Sequence, residues 1–216
     1  MILKRLQVKT AQRSLLTNTY IVCDEDTKEA IVIDPGGEPE RIAETLDILE
    51  ANLKYIFATH CHADHIGGIE KLKELKGGKI IISRADSEGL YNEGINLSYY
   101  VDMQNPELEA DSRLDDNDLI HVGDLQFKII ATPGHTKGGL CLYNEKEKLL
   151  FSGDTIFSGS WGRTDLPTGS FEEIINSITE KLMVLPDETI VYPGHGKITM
   201  IGDEKSIYLE LREKEF

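Results

Sequence analysis

Four stretches of this chain that read as β-strands each run out at a residue able to ligate a metal. YIFAT stops before His60, FKIIATPG before His135, LLFSG before Asp154 and TIVYPG before His195. Few features constrain a fold more. Side chains hung on strand ends far apart in sequence can meet only if the strands lie side by side and deliver those ends to one place. Glycine adjoins three of the ends, at Gly134, Gly153 and Gly194, where tight turns or close backbone approach are expected.

The first of these ends is the densest. In FATHCHADHIGG, residues 57–68, three of the six histidines of the chain fall within one short segment, as His60, His62 and His65, together with Asp64. In an extended segment His60 and His62 point to the same side and Cys61 points away, so Cys61 reads as a small buried side chain. The candidate ligands are then His60, His62, Asp64, His65, His135, Asp154 and His195. One zinc takes about four or five protein ligands while keeping a water, so this set implies two adjacent ions, with Asp154 as the natural bridge. Imidazole and carboxylate without thiolate suit Zn(II), with Fe(II) or Mn(II) as the alternatives.

Around these ends the chain alternates strand and helix patterns, which is the signature of an α/β fold. Apolar stripes predict helices over 39–53 (Ile42, Leu46, Leu49 and Leu53, behind Pro39), from Ile66 or Gly67 to the Gly77-Gly78 pair (Ile69, Leu72 and Leu75 inward), and over 171–185 (Phe171, Ile174, Ile175, Ile178 and Leu182). AIVID, KIIIS and LCLY are further β-branched or aromatic runs. The tract 102–118 carries seven acids and one base without an apolar pattern, and reads as a solvated crossover loop.

Composition narrows the partners. At 216 residues and 40% hydrophobic, the chain has the length of one large domain, 1–216. Its 38 acidic and 23 basic side chains give a net charge of -15, which repels nucleic acid and anionic membrane surfaces and favours a small-molecule partner. No apolar run has the length of a signal peptide core or a membrane span, and Cys23, Cys61 and Cys141 are too scattered for a disulfide framework; both point to the cytoplasm.

The ordered set His60-Cys61-His62-Ala63-Asp64-His65, His135 in TPGHT, Asp154 in SGDT and His195 in YPGHG resembles the metallo-β-lactamase superfamily over roughly Asp34 to His195. The resemblance implies a four-layer αββα sandwich with the metal site at one edge. It assigns His60, His62 and His135 to one ion, Asp64, His65 and His195 to the other, and Asp154 to both. β-Lactamases proper usually include a cysteine ligand and are exported, so antibiotic hydrolysis is not expected of this chain. The segment SGDTIFSGSWGRTDLPTGS is similar to the glyoxalase II-like, or hydroxyacylglutathione hydrolase-like, branch. That branch implies hydrolysis of a thioester such as S-lactoylglutathione by hydroxide held between two ions, with Asp64 both ligating and orienting it. Glutathione-binding members add a C-terminal helical domain, whereas 21 residues follow His195 here, room for one helix. The triplet Arg163-Thr164-Asp165 also resembles persulfide dioxygenases, which implies the alternative of a single iron on His60, His135 and Asp154.

Several residues carry two readings. Asp34 in VIDPGG either caps a turn or accepts the proton of a ligand imidazole, and the resemblance favours the latter. Arg163 either meets an anionic substrate or pairs with Asp165. Asn18, Tyr20, Phe157 and Trp161 either line the cleft or pack, and His121 lies outside the site.

Overall fold

The computed structural model describes residues 1–10 and 16–214. One sheet holds β1 (Ile2–Lys9), β2 (Leu16–Cys23), β3 (Glu29–Ile33), β4 (Asn52–Phe57), β5 (Lys79–Ser83) and β6 (Ser112–Leu114), in that order. The chain then builds β7 (Leu119–Val122), β8 (Leu125–Ala131), β9 (Leu140–Asn144) and β10 (Leu149–Gly153), a small hairpin of β11 (Ile156–Phe157) and β12 (Ser160–Trp161), and finally β13 (Ile190–Pro193) and β14 (Thr199–Met200). The second sheet has the order β14-β13-β10-β9-β8-β7.

Successive strand residues face opposite sides, and here both sides are buried. Ile21, Cys23, Ala30, Val32, Ile56, Ile80 and Ile82 face a core closed by Ile42 and Leu46 of α1 (Pro39–Ile48), by Ile66 of α2 (Ala63–Ile66), and by Ile69 and Leu72 of α3 (Ile69–Lys76). Their neighbours Tyr20, Val22, Ile31, Ile33, Phe57 and Ile81 turn the other way, against Phe127, Ile129, Leu140, Leu142 and Phe151 of the second sheet. On the far side of that sheet, Ile130, Cys141, Leu150 and Val191 meet Ile174, Ile178, Leu182 and Tyr208 from the C-terminal helices. Three cores between four layers are the αββα sandwich. A single apolar alternation serves two cores at once, which explains strands that read as continuous hydrophobic runs.

Between β5 and β6 the chain makes short helical turns, including α4 (Glu93–Asn96). On the second sheet lie α5 (Phe171–Asn176), whose N-cap Ser170 accepts from Glu173 N–H, and α6 (Ile201–Lys214). The helical path of α5 continues to Leu182 with wider turns, as in the Met183 N–H to Ile178 carbonyl bond.

Some expectations need correction. The stripe over 39–53 stops as a helix at Ile48; Glu50 takes a left-handed φ of 53°, and Leu53 reaches the same core from β4. Leu75 is 43% exposed and Phe171 40%, so neither faces a core. The acidic tract is not wholly loop. Ser112–Leu114 adds β6 in parallel to β5, and Leu108 and Leu114 are buried. Among the described residues no helix is long and apolar enough to cross a membrane.

Candidate metal centre

Strand direction brings the ligands together. β10 and β13 are parallel, and β9 runs antiparallel to both β8 and β10. Hence β8, β10 and β13 all point the same way and release His135, Asp154 and His195 at one edge of the second sheet. Parallel β3 and β4 deliver Asp34 and the His60 segment at the corresponding edge of the first. Two backbone features let the chain turn there without blocking the site. Gly153 takes φ 48°, open to glycine at no steric cost, and a Cβ on Gly194 would lie 2.4 Å from Asp154 Oδ1 and 2.6 Å from His65 Cε1.

All seven candidate ligands meet in one cluster. Three overlapping groups place their donor atoms within 4.8 Å of one another: His60 with His62 and His135, His60 with His65 and Asp154, and Asp64 with His65 and His195. His62 Nδ1 lies 2.9 Å from His135 Nε2, and His65 Nε2 lies 3.2 Å from His195 Nε2. Asp154 sits between the two halves. Its Oδ2 is 3.6 Å from His135 Nε2 and 3.4 Å from His195 Nε2, and its Oδ1 is 3.4 Å from His65 Nε2. Asp64 Oδ2 lies 3.2 Å from His195 Nε2.

The far nitrogen of four imidazoles is held by an acceptor, which fixes the tautomer. His65 Nδ1 donates to Asp34 Oδ2 at 2.9 Å, His135 Nδ1 to the Arg163 carbonyl at 2.7 Å, and His195 Nδ1 to the Leu16 carbonyl at 2.8 Å. His60 Nδ1 lies 3.1 Å from Thr59 Oγ1, whose own proton goes to Asp34 Oδ2 at 2.8 Å. Each of these rings therefore turns its Nε2 into the cluster. His60 Nε2, His62 Nε2 and Asp154 Oδ1 are buried there with no hydrogen-bond partner. Two donors bound to one zinc at about 2.0–2.1 Å and a tetrahedral angle lie roughly 3.3 Å apart, close to the spacings above. The donor set thus fits divalent cations.

Electrostatics divides the cluster. Burial and the neighbouring imidazoles hold His60 well below its usual range and push His62 down to about 3, so both rings are neutral. Burial opposes charge on His65 as well, but Asp154, Asp34 and Asp64 outweigh it and raise the ring to about 10. His195 rises to about 9 for the same reason, through Asp154 and Asp64. Asp64 in turn is held below the usual carboxylate range, because His65 and His195 outweigh its burial. The carboxylate half demands positive charge, which protons or a metal can supply.

Asp34 follows the second of its two readings, accepting from a histidine ring rather than capping its own turn. It takes φ 51° at the end of β3, and its carboxylate joins the Thr59 N–H, the Thr59 hydroxyl and His65. Arg163 lines the cleft beside the cluster, with its Nε and Nη2 both on Asp165 at 2.8 Å. Phe157 lines the cleft as well, whereas Trp161 packs on Phe171 and Tyr208. Asn18 and Tyr20 serve the seam between the sheets: Asn18 Nδ2 and Tyr20 Oη donate to the Pro193 carbonyl at 2.9 and 2.7 Å. His121 is exposed on β7.

Sequence reasoning missed Asp86. This fully buried carboxylate accepts from the Cys61 N–H at 3.2 Å and from Thr136 Oγ1 at 2.6 Å, tying the loop of His60 and His62 to that of His135. Its signal was available, since KIIIS is a further strand-like run followed closely by an acid. Asn96, Leu97 and Leu166, which also line the cleft, carried no such signal.

A sandwich with a His/Asp cluster able to hold metal at its shared edge is the architecture of the αββα metallo-hydrolase class. Residues 13–195 match the metallo-beta-lactamase superfamily, and the chain belongs to it. The hydroxyacylglutathione hydrolase GloC of Haemophilus influenzae is 36% identical over 183 residues, covering 84% of this chain and 86% of that protein. The crystal structure of the BLEG-1 B3 metallo-beta-lactamase superposes with a TM-score of 0.88 at 32% identity, covering 95% and 97% of the two chains. TTHA1623 in a di-iron-bound form gives 0.79 at 30% identity (92% and 96%), and ETHE1 from Myxococcus xanthus 0.77 at 28% (99% and 91%).

Proposed function

We propose that this protein is a metal-dependent thioester hydrolase of the glyoxalase II-like kind. The observation that carries the reading is the double donor set. His60, His62 and His135 would hold one divalent ion, Asp64, His65 and His195 a second, and Asp154, which has imidazoles of both groups within 3.6 Å, would serve both. Zn(II) suits these donors best, and Fe(II) or Mn(II) suit them too. When bound, such ions lower the pKa of a coordinated water toward ~7 and polarise a carbonyl.

The remaining work falls to the chain. Asp64, kept ionised by His65 and His195, faces the cleft and orients the attacking water by accepting one of its protons in a hydrogen bond. The hydrogen bonds behind His60, His65, His135 and His195 keep the rings in one tautomer, so the donors need no rearrangement before reaction. Attack on the thioester carbon breaks the C–S bond, yielding a carboxylic acid and a thiol; a thiolate leaves without a strong general acid. The similarity to GloC supports this reading.

The likeness to ETHE1 supports a second reading, a persulfide dioxygenase with one iron on His60, His135 and Asp154. The B3 metallo-beta-lactamase likeness makes a β-lactam a necessary control substrate. One preparation of known metal content would be offered S-lactoylglutathione without oxygen, glutathione persulfide with oxygen, and a chromogenic β-lactam. The expected result is oxygen-independent thiol release with close to two ions per chain. Persulfide-dependent oxygen uptake, with one iron per chain and no thioester cleavage, would overturn it.

A further inference from the structure

Resting on the thioester hydrolase reading, we infer that the cleft selects a substrate whose group beside the metal cluster is apolar, and that Leu97 sets this preference. The cleft of about 400 Å³ is lined, besides the ligands, by Ala63, Asn96, Leu97, Phe157, Arg163 and Leu166, with Gly162 between. Its two polar side chains are already engaged. Asn96 is fully buried, and its amide donates to the Gly89 carbonyl at 2.7 Å and to Asn105 Oδ1 at 2.8 Å, while its Oδ1 accepts from the Ser98 N–H at 2.9 Å. Both amide hydrogens are spent. The Arg163 guanidinium turns its Nε–H and one Nη2–H to Asp165 in an exposed pair, which draws it toward the rim of the cleft and leaves its other N–H groups to solvent. Next to the cluster the wall offers a ligand the Leu97 and Leu166 side chains and the Phe157 ring, 6.2 Å from that of His195, with the Arg163 cation at the exposed rim.

Leu97 is also placed at a cost. It holds a left-handed φ of 64°, a conformation uncommon for a bulky residue, and it belongs to none of the three cores. The Asn96 hydrogen bonds on either side impose that turn. Strain maintained at a leucine that is 9% exposed, lies outside the three cores and keeps its open edge on the cleft is what a residue selected for its contact with substrate would show. A hydroxyl or carboxylate pressed against this wall would lose water and find no partner, whereas each buried methylene should add about fourfold to binding.

The test uses metal-loaded protein and separates binding from turnover. Titration calorimetry with S-methylglutathione and S-hexylglutathione, which cannot be hydrolysed, reads the wall directly. Thiol release is then followed along two series: acetyl, butanoyl, hexanoyl and lactoyl groups on glutathione, and acetyl thioesters of thioglycolate and pentanethiol. We expect S-hexylglutathione to bind at least about tenfold more tightly than the methyl compound, and kcat/KM to rise with apolar length in the acyl or the thiol series, whichever group occupies the cleft. Leu97→Gly puts glycine at a φ natural to it, so metal content should hold while the length preference falls about tenfold; should that variant fail to fold, Leu166→Ala is read the same way. Equal binding of the two thioethers, or a flat length series in both arms, overturns the inference. Tight hexyl binding with no thioester cleaved leaves the apolar wall standing and sinks the hydrolase reading instead.

Discussion

Asp34→Asn should separate the cluster's geometry from its chemistry. The carboxylate is 2% exposed and accepts three hydrogen bonds, from Thr59 N–H at 2.7 Å, Thr59 Oγ1 at 2.8 Å and His65 Nδ1 at 2.9 Å. Asparagine has the same shape and tolerates the native φ of 51°. Yet its amide supplies one acceptor oxygen where the carboxylate supplied two. If the oxygen stays on the Thr59 N–H, the new NH2 faces His65 Nδ1; the ring then keeps its proton on Nε2, the atom that should ligate. If the amide flips to restore His65, the buried Thr59 N–H faces another donor. The first arrangement puts the proton on the atom that should ligate and the second leaves a buried donor unmatched; a cost of about 1–3 kcal/mol converts to a roughly 5- to 150-fold loss of affinity for the ion beside His65. Competition titration of Zn(II) into chelator-stripped protein reads that loss site by site, and thermal melting of the loaded protein checks the fold. Two ions bound at wild-type affinity would refute the argument that Asp34 fixes the His65 tautomer.

Three further outcomes follow from the same geometry. Asp154→Ala, which removes the carboxylate facing both halves of the cluster, should lower metal content and abolish turnover together, whereas His121→Ala should change neither; atomic absorption beside the activity assay decides. Asp86→Ala leaves the Cys61 N–H and the Thr136 hydroxyl without their partner, and should destabilise the chain by about 2–4 kcal/mol in urea unfolding while weakening the ion on His60, His62 and His135 more than its neighbour. Because the ion-free cluster raises His65 to about 10 and His195 to about 9, both rings are protonated at neutral pH and must give up those protons to ligate. Binding there should release up to about two protons and weaken up to about 100-fold per unit as pH falls, and titration heats independent of buffer ionisation would contradict this.

The candidate cluster was legible because four of its corners, His60, His135, Asp154 and His195, are each announced locally by a β-branched run that ends in a donor. Asp34 was half legible for the same reason, since VID ends a strand, but its partner Thr59 could not be named without knowing that β3 and β4 are parallel neighbours. Asp86 escaped because its meaning depends on two loops, at Cys61 and Thr136, that only the fold brings together. The overlong helix over 39–53 failed for a local reason that periodicity cannot detect. Leu53 keeps the helical spacing, yet the left-handed turn at Glu50 hands it to a strand. Leu97 could not be read at all, since nothing in NLS signals that leucine takes a turn conformation usually left to glycine or asparagine.

The seam at the N-terminal hairpin sets an order of events. Asn18 N–H donates to the Gly194 carbonyl at 2.7 Å, Asn18 and Tyr20 side chains hold the Pro193 carbonyl, and His195 Nδ1 donates to the Leu16 carbonyl, contacts that join residues more than 170 positions apart. During synthesis, β2 is made long before its partner, which follows more than 170 residues later. His60, His62 and His135 are all made before then, so a chain still growing can offer a three-imidazole pocket while lacking the strand that finishes the second one. Closing a loop of that length late is the slow, entropically costly step of such a topology. On the two-ion proposal metal loading would then proceed in sequence, with the ion beside His195 taken up only once β2 and the end of β13 have met.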